Sequence, residues 1–199
     1  MKSHSFLPYL PLFICFLLIP RGSCRPIEKS SDDIVDQTCK TCAHTTSFNL
    51  SYSFCLSSLG AVPISHVANL AGLGLVAMEL ALGNATNTVQ IIGKMLDKNT
   101  SVPHCQSCLE SCLQLYSTVS AILEDSISEF LSKQYDPVYM WVITITQATN
   151  ICEKSFTAEG EESPLTKENY SLTQLCGIIL CIIDLISPAL DSQPSRVLI

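Results

Sequence analysis

The most reactive side chains in this sequence are those of its cysteines, and two pairs of cysteines follow the C-x-x-C spacing. The pairs are Cys39 with Cys42 and Cys105 with Cys108, and a histidine lies near each pair. Thiolate and imidazole groups at such spacing are typical zinc ligands. However, a long predicted helix separates the pairs, no zinc-ribbon pattern surrounds them, and no βαβ pattern supports a thioredoxin-like dithiol. We therefore expect no metal site and no cofactor.

Residues that could carry out hydrolysis are also poorly arranged for catalysis. The sequence has no Gly-x-Ser-x-Gly turn that would present a nucleophilic serine. The neighbouring acids Glu124 and Asp125 lie on a predicted helix, where consecutive side chains point about 100° apart and do not converge on one substrate atom. The sequence therefore predicts no catalytic residue, and we expect that the protein is not an enzyme.

The elements that position these residues are predicted to be helices throughout. Glycine is scarce, and apolar residues recur at three- and four-residue intervals, which is typical of helices with one buried stripe. Short connections then make successive long helices antiparallel. Helices are predicted over residues 26–39, 52–59, 64–97, 104–133, 136–156 and 166–187, with an irregular stretch over 40–50.

The first 24 residues differ in chemistry from the rest of the chain. Lys2 precedes an apolar run over residues 6–20, and small residues follow that run, which is typical of a cleaved secretory signal peptide. We expect a mature domain over residues 25–199. Cleavage removes Lys2 and Arg21 but no acidic residue, so the net charge changes from −7 to −9. Such an acidic chain is a poor partner for nucleic acid or anionic lipid and a suitable one for a basic protein surface.

Nine of the 11 cysteines remain after this cleavage, since Cys15 and Cys24 lie in the leader. In a secreted protein they are expected to form disulfides, and the odd number leaves at least one thiol unpaired within the chain. A bond between Cys112 and Cys152 would clamp two predicted antiparallel helices. The sequence leaves open whether Cys105 or Cys108 pairs with Cys42.

Four Asn-x-Ser/Thr sequons are candidates for N-glycosylation in a secreted chain. They are Asn49, Asn84, Asn99 and Asn169. Three of them fall at predicted loops or helix ends, where a glycan is tolerated. Asn84 lies in the middle of a predicted helix and is the weakest of the four.

Several segments together resemble a known protein family. They are Ile34-Val-Asp-Gln-Thr-Cys39, Asn49-Leu-Ser-Tyr-Ser-Phe-Cys55-Leu-Ser-Ser-Leu59, His66-Val-Ala-Asn-Leu-Ala-Gly-Leu-Gly-Leu75, Cys112-Leu-Gln-Leu-Tyr116 and Cys152-Glu153. In these segments the chain resembles the plant invertase and pectin methylesterase inhibitor family, most closely its plane-pollen-allergen-like branch of invertase inhibitors. The resemblance covers nearly all of the mature chain.

This resemblance implies an up-and-down four-helix bundle preceded by an N-terminal helical hairpin. It also implies two disulfides, Cys39–Cys55 in the hairpin and Cys112–Cys152 across the bundle. The remaining cysteines lie outside the family pattern, and Cys176 and Cys181, on an apolar helix, are expected to be small core residues.

The resemblance further implies inhibition by docking over the active site of a target enzyme, an invertase or a pectin methylesterase. Cell-wall invertase inhibitors insert a Pro-Lys-Phe segment at the start of a bundle helix, and the matching residues here are Pro137, Val138 and Tyr139. We therefore expect Asp136, Pro137, Val138 and Tyr139 to contact the partner, and the missing lysine predicts weak inhibition of acid invertases. In pectin methylesterase inhibitors a threonine commonly precedes the bundle-helix cysteine, and here Ile151 takes its place.

The sequence thus predicts a secreted inhibitor that acts outside the cell in the apoplast or cell wall, with the vacuole as an alternative destination. Its predicted partner is a plant invertase or pectin methylesterase, and no nucleic acid or membrane partner is expected after signal cleavage. The alternatives are a secreted helical bundle that carries a small molecule, and one with a signalling, storage or allergen-like role that has lost inhibition.

Overall fold

In a computed structural model of the chain, residues 33–45, 49–97 and 103–188 are described, and all regular structure among them is helical. The predicted signal peptide and its cleavage site lie outside these residues. The elements, in chain order, are α1 (Ile34–Thr45), α2 (Tyr52–Gly60), a 3₁₀ turn (Pro63–Val67), α3 (Leu70–Asp97), α4 (Pro103–Leu131), α5 (Tyr135–Ala158) and α6 (Thr166–Ile186).

The four long helices form the predicted bundle. Helix α3 packs against α4 and α6, and α5 packs against the same two helices, so that neighbours in sequence are neighbours in space. Short connections between α4 and α5 and between α5 and α6 produce this arrangement. The predicted helix over 64–97 is wrong at its beginning, because Pro63 starts a separate 3₁₀ turn and α3 begins only at Leu70.

Helix α3 contributes small side chains to the core. Its buried face includes Gly74, Ala77, Ala81 and Ala85 at helical spacing, which lets neighbouring helices approach closely. The closest approach is at Gly74, where an added Cβ would lie 2.6 Å from Cζ of Phe130 on α4. Helix α3 therefore needs glycine at this position for packing rather than for backbone conformation.

Helix α6 is buried around most of its circumference. Every residue from Gln174 to Ile183 is buried, whereas a helix at the surface of a bundle normally buries one stripe. By length and composition α6 is apolar enough to span a membrane, but most of its apolar stretch lies inside the protein, as in a core helix. The side that the bundle leaves open is covered by α1 and α2.

The N-terminal hairpin consists of α1 and α2, joined by the Cys39–Cys55 disulfide. Helix α1 continues to Thr45 instead of ending near Cys39 as predicted, and Cys42 therefore lies on the same buried side as Cys39. The chain after α2 returns to the start of the hairpin, where Nδ1 of His66 lies 2.8 Å from an Asp33 carboxylate oxygen.

Three disulfides are present among the described residues. Two are those that the family resemblance implied, Cys39–Cys55 and Cys112–Cys152. The third joins Cys42 in the hairpin to Cys181 in α6. The prediction that Cys181 is a simple core residue is therefore wrong, because the hairpin packs over α6 and brings Cys42 to it.

We predict that Gly74→Ala lowers the free energy of unfolding by about 1–3 kcal/mol, since the new methyl group overpacks the contact with Phe130. Gly83→Ala on the same helix is the control, because nothing lies within 4 Å of its added Cβ. It should raise stability by up to about 1 kcal/mol through helix propensity. Denaturant unfolding of both variants is the measurement, and equal stabilisation by the two substitutions would contradict the packing.

We also predict that the Cys42→Ala, Cys181→Ala double variant loses about 2–5 kcal/mol of stability, because the bond closes a long stretch of chain. The separation between the two residues is 139 positions. Circular dichroism should still show a helical bundle, since Cys112–Cys152 is retained. Peptide mapping that found Cys42 bonded to Cys105 or Cys108 in the unmodified protein would contradict the pairing.

Candidate functional site

The predicted contact segment lies at the first turn of α5, and the structure divides its four residues into two groups. Asp136 is exposed and Pro137 is half-buried, so both are accessible from outside the bundle. Val138 and Tyr139 are core residues with 0% and 8% of their surface exposed. The side chains of Val138 and Tyr139 fill the bundle, so in this structure only Asp136 and Pro137 of the predicted contact segment are accessible to a partner.

The connection that leads into this turn has a fixed shape. The backbone N–H of Lys133 donates to the Phe130 carbonyl at 3.0 Å, and that of Gln134 donates to the Glu129 carbonyl at 2.9 Å. Lys133 has a φ of 61°. This left-handed residue ends α4 and allows the chain to reverse into α5 within three residues.

A groove of about 520 Å³ runs between α4 and α5 on the outside of the bundle. Its lining residues share one property, which is that none carries a charge. They are Ser111, Gln114, Leu115, Thr118, Val119, Ile122, Thr144, Gln147, Ala148 and Ile151. Ile151 is the most prominent apolar residue of the groove, with 57% of its surface exposed.

The groove and the predicted contact segment lie on one face of α5. Asp136, Met140, Thr144, Gln147 and Ile151 follow each other at three- and four-residue intervals and are all exposed. Such spacing places side chains in one row along a helix. Sequence reasoning noted Ile151 only as a departure from a family pattern and did not identify the rest of this row. The signal was present as a lack of charge at helical spacing over 140–151.

This groove is uncharged in a chain whose charged residues are 15% of the sequence and give a net charge of −7. Exposed acids such as Glu124 and Asp125 lie on α4 outside the groove. Depletion of charge in the centre of a surface patch, with charged residues around it, is a feature of protein–protein interfaces. Exposed aliphatic side chains in such a patch are consistent with a binding role.

Beneath the groove, a polar network and a disulfide hold α4, α5 and α6 together. The hydroxyl of Tyr116 donates to Oδ1 of Asn169 at 2.7 Å, and Nδ2 of Asn169 donates to a Glu153 carboxylate oxygen at 2.6 Å. Burial raises the pKa of Tyr116 far above its ordinary value, so the phenol remains a donor. The neighbouring Cys112–Cys152 bond links α4 to α5 directly. The groove therefore has rigid walls at this end.

The same network includes Asn169, which is one of the predicted glycosylation sites. Asn169 is 5% exposed, and its amide nitrogen, the atom that would carry a glycan, is hydrogen-bonded to Glu153. Attachment of a glycan to this nitrogen would break the hydrogen bond to Glu153, which disfavours Asn169 as an acceptor in the folded protein. Asn49 is exposed, Asn84 is half-buried on α3, and Asn99 lies outside the described residues.

The alternative chemistry that the cysteine pairs suggested finds no support in the structure. Cys39 and Cys42 are both bonded in disulfides, so they are not available as thiolate ligands of a zinc ion together with Cys105 and Cys108. Among residues 33–45, 49–97 and 103–188 no group of three or more potential metal ligands is found.

Comparisons with known proteins agree with this architecture. The family model described as plant invertase/pectin methylesterase inhibitor matches residues 33–182. Two relatives named "Putative invertase inhibitor", from Platanus acerifolia and Platanus orientalis, are each 36% identical over 157 residues. The aligned regions cover 78% of this chain and 87% and 91% of the relatives.

A similar fold is found in the crystal structure of a mutant form of a pectin methylesterase inhibitor from Arabidopsis. Its TM-score is 0.64 at 22% identity, over 75% of this chain and 96% of that chain. These relatives are named as inhibitors of enzymes, in agreement with the expectation that this chain is not itself an enzyme. The family match spans both the hairpin and the bundle, and the chain belongs to the plant invertase/pectin methylesterase inhibitor family.

Proposed function

We propose that the mature chain is a secreted protein inhibitor that binds a plant hydrolase and covers its active site. The target is an invertase or a pectin methylesterase, as the family and the names of the relatives suggest. Covering an active site requires a complementary surface and no nucleophile, metal or cofactor. The proposed destination is the cell wall, with the vacuole as the alternative, because the predicted leader directs the chain into the secretory route.

The uncharged groove between α4 and α5 is the structural feature that most directly supports this proposal. Its lining includes the exposed apolar side chain of Ile151. The exposed row of α5 to which Ile151 belongs extends beyond the groove through Met140 to Asp136. We propose this row and the facing residues of α4 as the surface that docks on the enzyme. The apolar centre would be buried on binding, while the acidic remainder of the protein would steer association with a basic partner surface.

The electrostatics at the start of α5 favour some targets over others. A glycoside hydrolase of the invertase type carries a pair of carboxylates at its reaction centre. Asp136 would repel them, and Val138, which is uncharged and buried, supplies no cation to attract them. We therefore expect weak inhibition of acid invertases, and a pectin methylesterase remains a candidate target.

We predict that the purified mature protein inhibits at least one member of a panel of plant acid invertases and pectin methylesterases with saturable, stoichiometric behaviour. Ile151→Glu should weaken that inhibition at least about tenfold, because a carboxylate in the centre of the interface would have to lose its water without a partner. The melting temperature should change little, since Ile151 is exposed. Titration of enzyme activity and thermal unfolding are the measurements.

Asn87→Glu provides the control, because it adds the same charge at an exposed position on α3, away from the groove. It should leave the inhibition constant unchanged. Equal loss of inhibition in both variants would indicate a general charge effect and contradict the groove as the docking surface. Absence of inhibition against the whole panel would contradict the proposed function itself.

We further predict that Val138→Lys fails to strengthen inhibition and lowers stability by more than about 2 kcal/mol, because it places an ammonium group at a fully buried position. Asp136→Asn, two residues earlier at an exposed position, should instead strengthen inhibition of an acid invertase by removing repulsion. It should lower stability by about 0.3–1 kcal/mol or more, because a carboxylate in the first turn of a helix is stabilising. Inhibition constants and melting temperatures of the two variants test this. A Val138→Lys protein of normal stability and tighter binding would show that Val138 is a contact residue after all.

A further inference from the structure

We propose that Cys105 and Cys108 form a dithiol site at the beginning of α4, which low-molecular-weight disulfides oxidise to a fourth disulfide of the mature protein. The site would react by thiol–disulfide exchange and would accept a small disulfide such as oxidised glutathione. It lies outside the proposed docking groove and does not depend on the inhibitory function.

The disulfides and the burial of the other cysteines leave Cys105 and Cys108 as the two thiols that can pair with each other. Cys42, the partner that the sequence left open for either of them, is bonded to Cys181. The remaining thiols among the described residues are Cys105, Cys108 and Cys176. Cys176 is completely enclosed in α6, and burial raises the pKa of its thiol to about 12, so it is neither accessible nor ionised. Pairing Cys105 with Cys108 leaves Cys176 as the one unpaired thiol of the nine.

The positions of the two residues suit such a bond. They are three residues apart on α4, so their Cβ atoms are neighbours at about 5–6 Å on a regular helix, and a disulfide needs about 3.5–4.5 Å. Helix α4 begins at Pro103, so Cys105 lies in the first turn, whose amide groups lack partners within the helix. The first turn can therefore tighten or unwind locally while the packed remainder of α4 stays in place.

The two thiols differ in their accessibility to solvent. This difference determines which thiol reacts first with the small disulfide. Cys105 is half-buried and can be reached from solvent. Cys108 is buried, and its thiol donates to the carbonyl of Ser155 on α5 at 3.3 Å. We therefore assign Cys105 as the attacking thiol and Cys108 as the resolving thiol.

The reaction balances without any further reagent. The Cys105 thiolate attacks one sulfur of oxidised glutathione, the S–S bond of glutathione breaks, and one glutathione thiolate leaves with a mixed disulfide on Cys105. Deprotonated Cys108 then attacks the Cys105 sulfur and displaces the second glutathione. The protein dithiol is oxidised by two electrons, oxidised glutathione is reduced, and the two thiol protons end on two molecules of reduced glutathione.

The surroundings of Cys105 make the exchange slow in acid. Burial raises the pKa of the Cys105 thiol above its ordinary value, and the negative charge of the nearby Glu161 adds to the effect. Because the thiolate is the reactive form, the rate should increase as the pH rises toward this pKa. Glu161→Gln should therefore accelerate oxidation at a given pH.

The experiment is native incubation of the mature protein with oxidised glutathione, followed by alkylation in denaturant and mass spectrometry. Proteolysis after Glu110 separates the peptide containing Cys105 and Cys108 from Cys112. We expect this peptide to lose two hydrogen masses and to resist alkylation until reduction, while Cys176 is alkylated once the protein unfolds. Recovery of both Cys105 and Cys108 as alkylated thiols would overturn the proposal, and so would a bond between Cys108 and Cys152.

Two variants separate the steps. Cys108→Ser should stop the reaction at a stable glutathione adduct on Cys105, because the resolving thiol is missing. Cys176→Ala should leave the oxidation of the pair unchanged. If Cys108→Ser yields no adduct while the melting temperature shows that it is folded, Cys105 is not the attacking thiol and the assignment is wrong.

Discussion

Helix α6 is apolar around most of its circumference, and the need to keep water from every side of it governs the rest of the structure. The ten residues from Gln174 to Ile183 are all buried. Two neighbours in the bundle, α3 and α5, cover part of this surface, and the N-terminal hairpin covers more. Burial of large aliphatic side chains stabilises by about 1.5–3 kcal/mol each, so an uncovered side of α6 would cost a large part of the stability of a small domain. The hairpin is therefore a component of the core rather than an appendage.

The covalent and polar links follow from this requirement. Cys42–Cys181 bonds the hairpin to α6, and the side chain of Gln174 accepts a hydrogen bond from the Ser51 backbone N–H at 2.7 Å, just before α2. On the other side of α6, Asn169 accepts a hydrogen bond from the Tyr116 hydroxyl and donates one to Glu153. Three bundle helices therefore meet at one buried amide. A buried polar group is stable only when its partners are present, and this network fixes the relative positions of the helices that carry it.

The surface that the hairpin leaves exposed is consistent with the proposed inhibition of an enzyme. The hairpin packs on α3 and α6, which leaves the groove between α4 and α5 open on the outside of the bundle. An inhibitor that works by occlusion needs a stiff surface, because a preformed surface loses little conformational freedom on binding. The Cys112–Cys152 bond and the polar network beneath the groove provide that stiffness, and the uncharged lining lets the centre of the surface be desolvated at low cost.

Local patterns in the sequence predict the helical class and the four long helices, and the family resemblance predicts two of the three disulfides found in the described part of the chain. Apolar periodicity is a local property, so α4, α5 and α6 could be placed within about two residues, and the resemblance at Cys39, Cys55, Cys112 and Cys152 supplied the pairing. Features that depend on contacts between residues distant in sequence become apparent only in the folded protein. Cys42 bonds to Cys181 across 139 positions because the hairpin covers α6, and Asn169, a predicted glycan acceptor, is buried and hydrogen-bonded. Val138 faces the core while Asp136 faces solvent, since the direction of a side chain at a helix start is set by the packing of the whole helix, which no local pattern specifies.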